Sequence, residues 1–157
     1  MTQVAANIKA PKVMVLNGPN LNLLGFREPA AYGTGTAQEL EIFVAETAAS
    51  LGLVSDFRQS NHEGYIIDWL HEARCEFDCV VINPAALTHT SVGVRDAVLA
   101  FDGPVAEVHI SNVHAREEFR HHSFVSAVAD VVIVGAGFQS YSLGLRAVRD
   151  LLAERAR

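Results

Sequence analysis

Three residues on one early loop, Asn20, Arg27 and Tyr32, are of types that could do acid–base work. A phenol titrates near 10 in isolation, so a tyrosine serving as a base at neutral pH needs positive charge beside it. Arg27, five positions before Tyr32, could supply that charge. The plainer reading is a packing tyrosine at a loop tip next to a solvated arginine. A second constellation is Glu107-Val-His109. Residues two apart on a strand share a face, and a carboxylate beside an imidazole orients it and raises its pKa, which suits a proton donor. The same pair could instead hold the strand in place. Just beyond it, the amides of Ile110 and Ser111 and the Ser111 hydroxyl could bind a carboxylate. Asn83 closes another apolar run and is expected to face the same cleft. His89 follows it, ahead of a helix for which Ser91 is the expected N-cap.

Other chemistries fit less well. Seven histidines invite a metal reading, yet no HExxH or CxxC pattern is present, and no metal site is expected. The two lysines, Lys9 and Lys12, stand outside all of these motifs, which argues against a Schiff base. A flavin binder of similar architecture wants a Ser/Thr-rich phosphate loop after its first strand, where this chain has Gly18-Pro-Asn-Leu-Asn-Leu-Leu-Gly25. A receiver domain needs an Asp ending strand three, where Asn83 stands. Gly135-Ala-Gly-Phe138 is too short for a dinucleotide fingerprint.

The elements that must position these groups read as strands alternating with amphipathic helices. Apolar runs over Lys12 to Asn17, Leu53 to Arg58, Cys79 to Asn83, Val105 to His109 and Val131 to Val134 predict five strands. Their near-continuous apolar character suits a parallel sheet covered on both faces. Leu40, Phe43, Val44, Thr47, Ala48 and Leu51 mark the first helix; Ile66, Ile67 and Leu70 the second; Val94, Ala97, Val98 and Phe101 the third. Arg116 to His122 is expected to form a short fourth helix and Tyr141 to Arg155 a longer last one. The result is an α/β fold, a flavodoxin-like doubly wound five-stranded parallel sheet in the order 2-1-3-4-5. One stretch breaks the rhythm: Gly18 to Ala37 is far longer than the usual connection of about two to six residues. Punctuated by Gly and Pro at a strand's carboxyl edge, it is expected to be a functional lid.

Length and composition agree with one domain. The chain has 157 residues, half hydrophobic and 19% charged. No apolar run approaches the roughly 20 residues that span a bilayer, and residues 1–11 carry no secretory pattern, reading as a loose tail of a cytoplasmic protein. A net charge of −6 argues against non-specific nucleic-acid binding but not against a small anionic substrate held by clustered arginines. Cys75 and Cys79 are expected to be buried thiols.

Three long motifs carry a family resemblance. Leu16-Asn-Gly-Pro-Asn-Leu-Asn-Leu-Leu-Gly25 with Arg27-Glu-Pro29 and Tyr32-Gly33 resembles the opening of type II 3-dehydroquinate dehydratases. Leu87-Thr-His-Thr-Ser91 with Arg95-Asp-Ala97, and Glu107-Val-His-Ile-Ser-Asn-Val-His-Ala-Arg-Glu-Glu-Phe-Arg120, are similar to two further signatures. The resemblance covers the chain after Pro11. It implies a cofactor-free anti elimination of water from 3-dehydroquinate, through an enolate, to 3-dehydroshikimate. Tyr32 then matches the base, Arg27 the lid arginine favouring its phenolate, Asn20 the enolate stabiliser and His109 the acid. Asn83, His89, Ile110, Ser111 and Arg120 match substrate contacts, with Glu107 in support. Asp96 matches a contact given by a neighbouring subunit, and the family implies a homododecamer built from trimers. The shikimate pathway is the expected setting, quinate breakdown the alternative; a non-catalytic flavodoxin-like binding module is the reading from another class. Loss of water from a β-hydroxy ketone needs a base, an enolate stabiliser and an acid, and the chain offers one candidate for each. Departures stand at Ala85 and Leu87, where many members carry Gly and Tyr, and at Phe26, where a small or polar residue is expected.

Overall fold

The computed structural model describes residues 9–157. Most of the tail expected over 1–11 lies outside the described residues. The five apolar runs form strands β1 (Lys12–Asn17), β2 (Val54–Gln59), β3 (Cys79–Asn83), β4 (Val105–His109) and β5 (Val131–Val134). All neighbours pair in parallel, in the order β2-β1-β3-β4-β5. Five α-helices accompany them: α1 (Pro29–Tyr32), α2 (Ala37–Ser50), α3 (Glu63–Glu76), α4 (Val92–Leu99) and α5 (Gln139–Arg155). Successive strand residues point to opposite faces, so each central strand feeds two cores. Val13, Val15, Val81 and Val108 pack with residues of α2 and α5; Met14, Leu16, Val80 and Ile82 pack with residues of α3 and α4. Burial on both faces explains why β1 and β3 read as apolar runs, and β4 likewise apart from Glu107, while edge strand β2 carries Asp56, Arg58 and Gln59.

Local signals set the helix starts. Thr36 caps α2 reciprocally, accepting from the Glu39 amide at 3.2 Å while the Glu39 carboxylate accepts from the Thr36 amide at 2.7 Å. The Ser91 hydroxyl accepts from the Val94 amide at 2.8 Å, the expected cap of α4. The long connection after β1 contains a 3-10 turn over Leu21–Leu23 and the single turn of α1. Buried Leu21 and Leu24 pin its first half to the core, whereas Phe26 stands exposed.

Two expectations need correction. No α-helix spans Arg116 to His122; the β4–β5 crossover has 3-10 turns at Val113–Ala115 and Glu118–Arg120 instead. Phe119 is the one large apolar side chain between His114 and His122, so no apolar stripe exists to hold a helix against the sheet. Cys79 is buried as expected, but Cys75 lies exposed on α3; both are free thiols.

The chain turns tightly where the site forms. A Cβ on Gly18 would stand 2.4 Å from the Pro84 carbonyl oxygen, so only glycine lets the turns after β1 and β3 touch. Next to that contact Ala85 adopts φ 50°, in the left-handed region. That conformation costs a non-glycine residue about 1–2 kcal/mol, offset in part by alanine's lower unfolded-state entropy. Ala85→Gly is therefore expected to stabilise the fold by about 1 kcal/mol, raising Tm by about 2–4 °C in a calorimetric scan. An unchanged or lower Tm would mean the position is not strained.

Candidate active site

The carboxyl ends of β1, β3 and β4, with the lid and the β4–β5 crossover, enclose one cleft. Its lining includes Asn20, Arg27, Tyr32, Asn83, His89, His109, Ile110, Ser111 and Arg120. Every expected site residue with a side chain or amide for the cleft is there except Asp96, with Glu107 lying directly behind His109.

Tyr32 ends α1, which Pro29 opens at a position where the missing N–H costs nothing. Its phenol oxygen accepts from Arg27 Nη2 at 3.3 Å, as the sequence suggested, and from Arg116 Nη1 at 2.7 Å, which the sequence reading did not single out. Arg116 is the closer and the less exposed of the two. Burial works against its charge, but Tyr32, Glu117 and Glu28 outweigh that and keep the guanidinium firmly protonated. Two guanidiniums thus hold one phenol oxygen, with Arg116 the nearer. Replacing Arg116 by Ala is thus expected to lower kcat more than Arg27→Ala, by roughly tenfold to a hundredfold. Equal losses in a side-by-side kinetic comparison would remove the priority assigned to Arg116.

His109 ends β4, where its ring meets Glu107, whose side chain is fully buried. Nε2 lies 2.8 Å from Glu107 Oε1. An ionised carboxylate only accepts, so Nε2 carries the hydrogen and Nδ1 is the nitrogen left for a ligand. Burial pushes the Glu107 carboxyl up, but bonds from His109, Ser126 and Thr88 outweigh it and hold the group below its usual range. His89 Nδ1 lies 2.7 Å from the His122 carbonyl oxygen, which fixes that nitrogen as a donor and frees Nε2. Burial, then the neighbouring His109 and Arg120, push His89 below the ordinary histidine value despite the His122 bond.

Asn83 is less free than expected. Its Nδ2 donates to Tyr141 Oη at 2.9 Å, Tyr141 donates to Asn17 Oδ1 at 2.6 Å, and Asn83 Oδ1 accepts from the Ala85 amide at 3.2 Å. One amide hydrogen remains for a ligand. Asn20 sits at φ 66°, a conformation asparagine tolerates, and its backbone amide donates to Asn61 Oδ1 at 2.8 Å. Arg120 lines the cleft while its Nε donates to Glu117 at 2.7 Å. Asp96 points out from α4, bonded to Arg95 at 2.8 Å, away from its own cleft. Among the described residues no group of three or more His, Cys, Asp or Glu side chains is placed to hold a metal ion.

A doubly wound α/β sheet with a cation-flanked phenol and a carboxylate-backed imidazole in one cleft defines an acid–base enzyme. The chain belongs to the class II dehydroquinase family, whose model matches residues 11–149. The 3-dehydroquinate dehydratase of Streptomyces avermitilis is 55% identical over 157 residues, covering 99% of this chain and 96% of that protein. The catabolic 3-dehydroquinase 2 of Aspergillus flavus is 54% identical over 136 residues, 87% of this chain and 91% of that one. The crystal structure of the type II dehydroquinase from Propionibacterium acnes superposes with a TM-score of 0.86 at 44% identity, over 89% of this chain and 97% of that one.

Proposed function

We propose that this chain is a hydro-lyase, a 3-dehydroquinate dehydratase, working as one catalytic domain with no cofactor. The observation that carries the mechanism is the phenol oxygen of Tyr32 held by Arg116 and Arg27 in the cleft that also holds His109. Tyr32, as phenolate, takes the proton alpha to the substrate ketone. The electron pair moves onto the carbonyl oxygen to give an enolate, which Asn20 helps stabilise. The enolate collapses, the β-hydroxyl leaves, and His109, acting as an imidazolium whose Nε2–H stays on Glu107, gives it the Nδ1 proton to form water, yielding 3-dehydroshikimate by anti elimination and a neutral imidazole. The amides of Ile110 and Ser111, the free hydrogen of Asn83, His89 and Arg120 supply the contacts for an anionic substrate. A flavodoxin-like binding module is not favoured, because the loop Gly18–Gly25 lacks any hydroxyl side chain for a phosphate.

The test is an ultraviolet assay for the conjugated enone product, run with and without a chelator. Chelator-insensitive turnover is the expected result; none from well-folded protein would sink the assignment. The setting we favour is the shikimate pathway, towards chorismate and the aromatic amino acids. Relatives bear both biosynthetic and catabolic names, so a deletion strain decides: a requirement for aromatic amino acids is expected, and a defect only on quinate would reassign the role. A cytoplasmic location suits two free thiols; among the described residues no helix is long and apolar enough to cross a membrane.

Assembly into a dodecamer of trimers is part of the same proposal. Val92, Asp96 and Leu99 recur at i, i+4 and i+7 on α4 and all are exposed, so Asp96 sits in an apolar outer stripe suited to another subunit. Asp96→Ala is expected to raise KM or weaken assembly, read by kinetics alongside sedimentation. A fully active monomer would contradict the shared site.

A further inference from the structure

We propose that Thr88, Ser123 and Ser126 are positioning residues for the proton donor: through Glu107, their hydroxyls hold the His109 ring with Nδ1 toward the substrate. The inference rests on His109 being the acid of the dehydration. Glu107 occupies the face of β4 that the apolar neighbours Met14, Leu16, Val80 and Ile82 share. The side chains that bond to it come from the 3-10 turn Ala85–His89 after β3, with Thr88, and from the β4–β5 crossover, with Ser123 and Ser126.

Their hydrogens converge on one carboxylate. Thr88 Oγ1 donates to Oε1 at 2.5 Å and Ser126 Oγ donates to Oε2. Ser123 Oγ lies 3.1 Å from Oε1 and 2.6 Å from Thr88 Oγ1, and is itself oriented by accepting from the Ser126 amide at 2.9 Å. With the imidazole N–H, Thr88 and Ser126 each bring a hydrogen to the carboxylate, while the single Ser123 hydrogen is shared between Oε1 and Thr88 Oγ1. A neutral carboxyl would force one hydroxyl to accept and strand its hydrogen in a shell that offers few other acceptors. The arrangement therefore selects the ionised carboxylate, and an ionised carboxylate holds Nε2–H and the ring angle of His109, leaving Nδ1 to carry the proton that is delivered.

The charged and titratable groups facing Glu107 are few. His109 lies on its own strand, His89 comes from the turn after β3, and Arg120, paired with Glu117, comes from the crossover. His114, His121 and His122 surround the adjoining cavity.

The test compares Ser126→Ala and Thr88→Val with the hydroxyl-keeping variants Ser126→Thr and Thr88→Ser. Half-buried Ser126 makes the first variant the one expected to fold without difficulty. Losing one hydroxyl is expected to lower kcat roughly tenfold with KM nearly unchanged, and to move the acid limb of the kcat–pH profile up by about one pH unit. The sign follows from the donors: removing one destabilises the anion, so Glu107 takes up its proton at higher pH. Ser126→Thr and Thr88→Ser should restore both rate and limb. A kcat lowered equally at every pH, or not lowered at all, overturns the inference while leaving an active wild-type enzyme and its assignment intact. A wild-type protein without dehydratase activity overturns both.

Discussion

Tyr32→Phe is expected to lower kcat by about a thousandfold, with KM and stability close to wild type. The substitution deletes one oxygen, and that oxygen is held by two guanidiniums at once. Positioned proton transfer contributes about a hundredfold to ten-thousandfold in rate, so losing the proposed base outright should cost a factor in that range. The fold should tolerate the change. The Tyr32 ring still packs against the core that α2 and α5 cover. Neither arginine is orphaned, because Arg27 keeps Glu28 at 2.8 Å and Arg116 keeps Glu28 and Glu117 at 3.5 and 3.6 Å. A lost hydrogen bond at a half-exposed site costs about 1 kcal/mol or less. Paired kinetics and thermal melts read both halves of the claim. Retention of more than about a tenth of the activity would remove Tyr32 from the base role.

The strands were legible because three of them are buried on both faces, and burial writes apolar runs into Val13–Leu16, Cys79–Ile82 and, broken only by Glu107, Val105–Val108. The edge strand β2 was placed one residue early, since its polar alternation marks its ends poorly. The β4–β5 crossover was misread for a different reason. Its residues are chosen for the cleft and for Glu107 rather than for a sheet-facing stripe, so helical periodicity had nothing to report there. That same stretch hid Arg116. Its partner Tyr32 lies 84 residues away, and only the fold brings them together. Position within the motif from Glu107 to Arg120 was the one available signal, and it did not distinguish Arg116 from the glutamates beside it.

The Glu107–His109 pair was legible because it depends on spacing alone: two residues apart on a strand means one face. What surrounds it was not. Thr88, Ser123 and Ser126 are common surface residue types, and nothing local shows that they meet around a buried carboxylate. The lid was half legible. Its length and its glycines marked it as unusual, but the anchoring of Leu21 and Leu24 and the single turn of α1 follow from tertiary packing.

His109→Ala carries the other large expected effect: dehydration slowed a hundredfold or more, while proton removal at the alpha carbon continues. The two steps separate because different residues serve them. In the proposed mechanism Tyr32 with its arginines makes the enolate, and His109 acts only when the hydroxyl leaves. Without the acid, the enolate has no good way forward and returns to substrate, taking its proton from a tyrosine that can exchange with solvent. In deuterated water the variant should therefore wash deuterium into unreacted substrate faster than it forms enone, measured by NMR beside absorbance. Truncation at His109 leaves the Thr88, Ser123 and Ser126 hydroxyls around Glu107, so the carboxylate stays solvated by the protein and the fold should hold. Loss of turnover with no deuterium entering the substrate would contradict a stepwise path. It would mean that breaking the C–H bond requires the leaving group to depart in the same event, and His109 would then act alongside Tyr32 rather than after it.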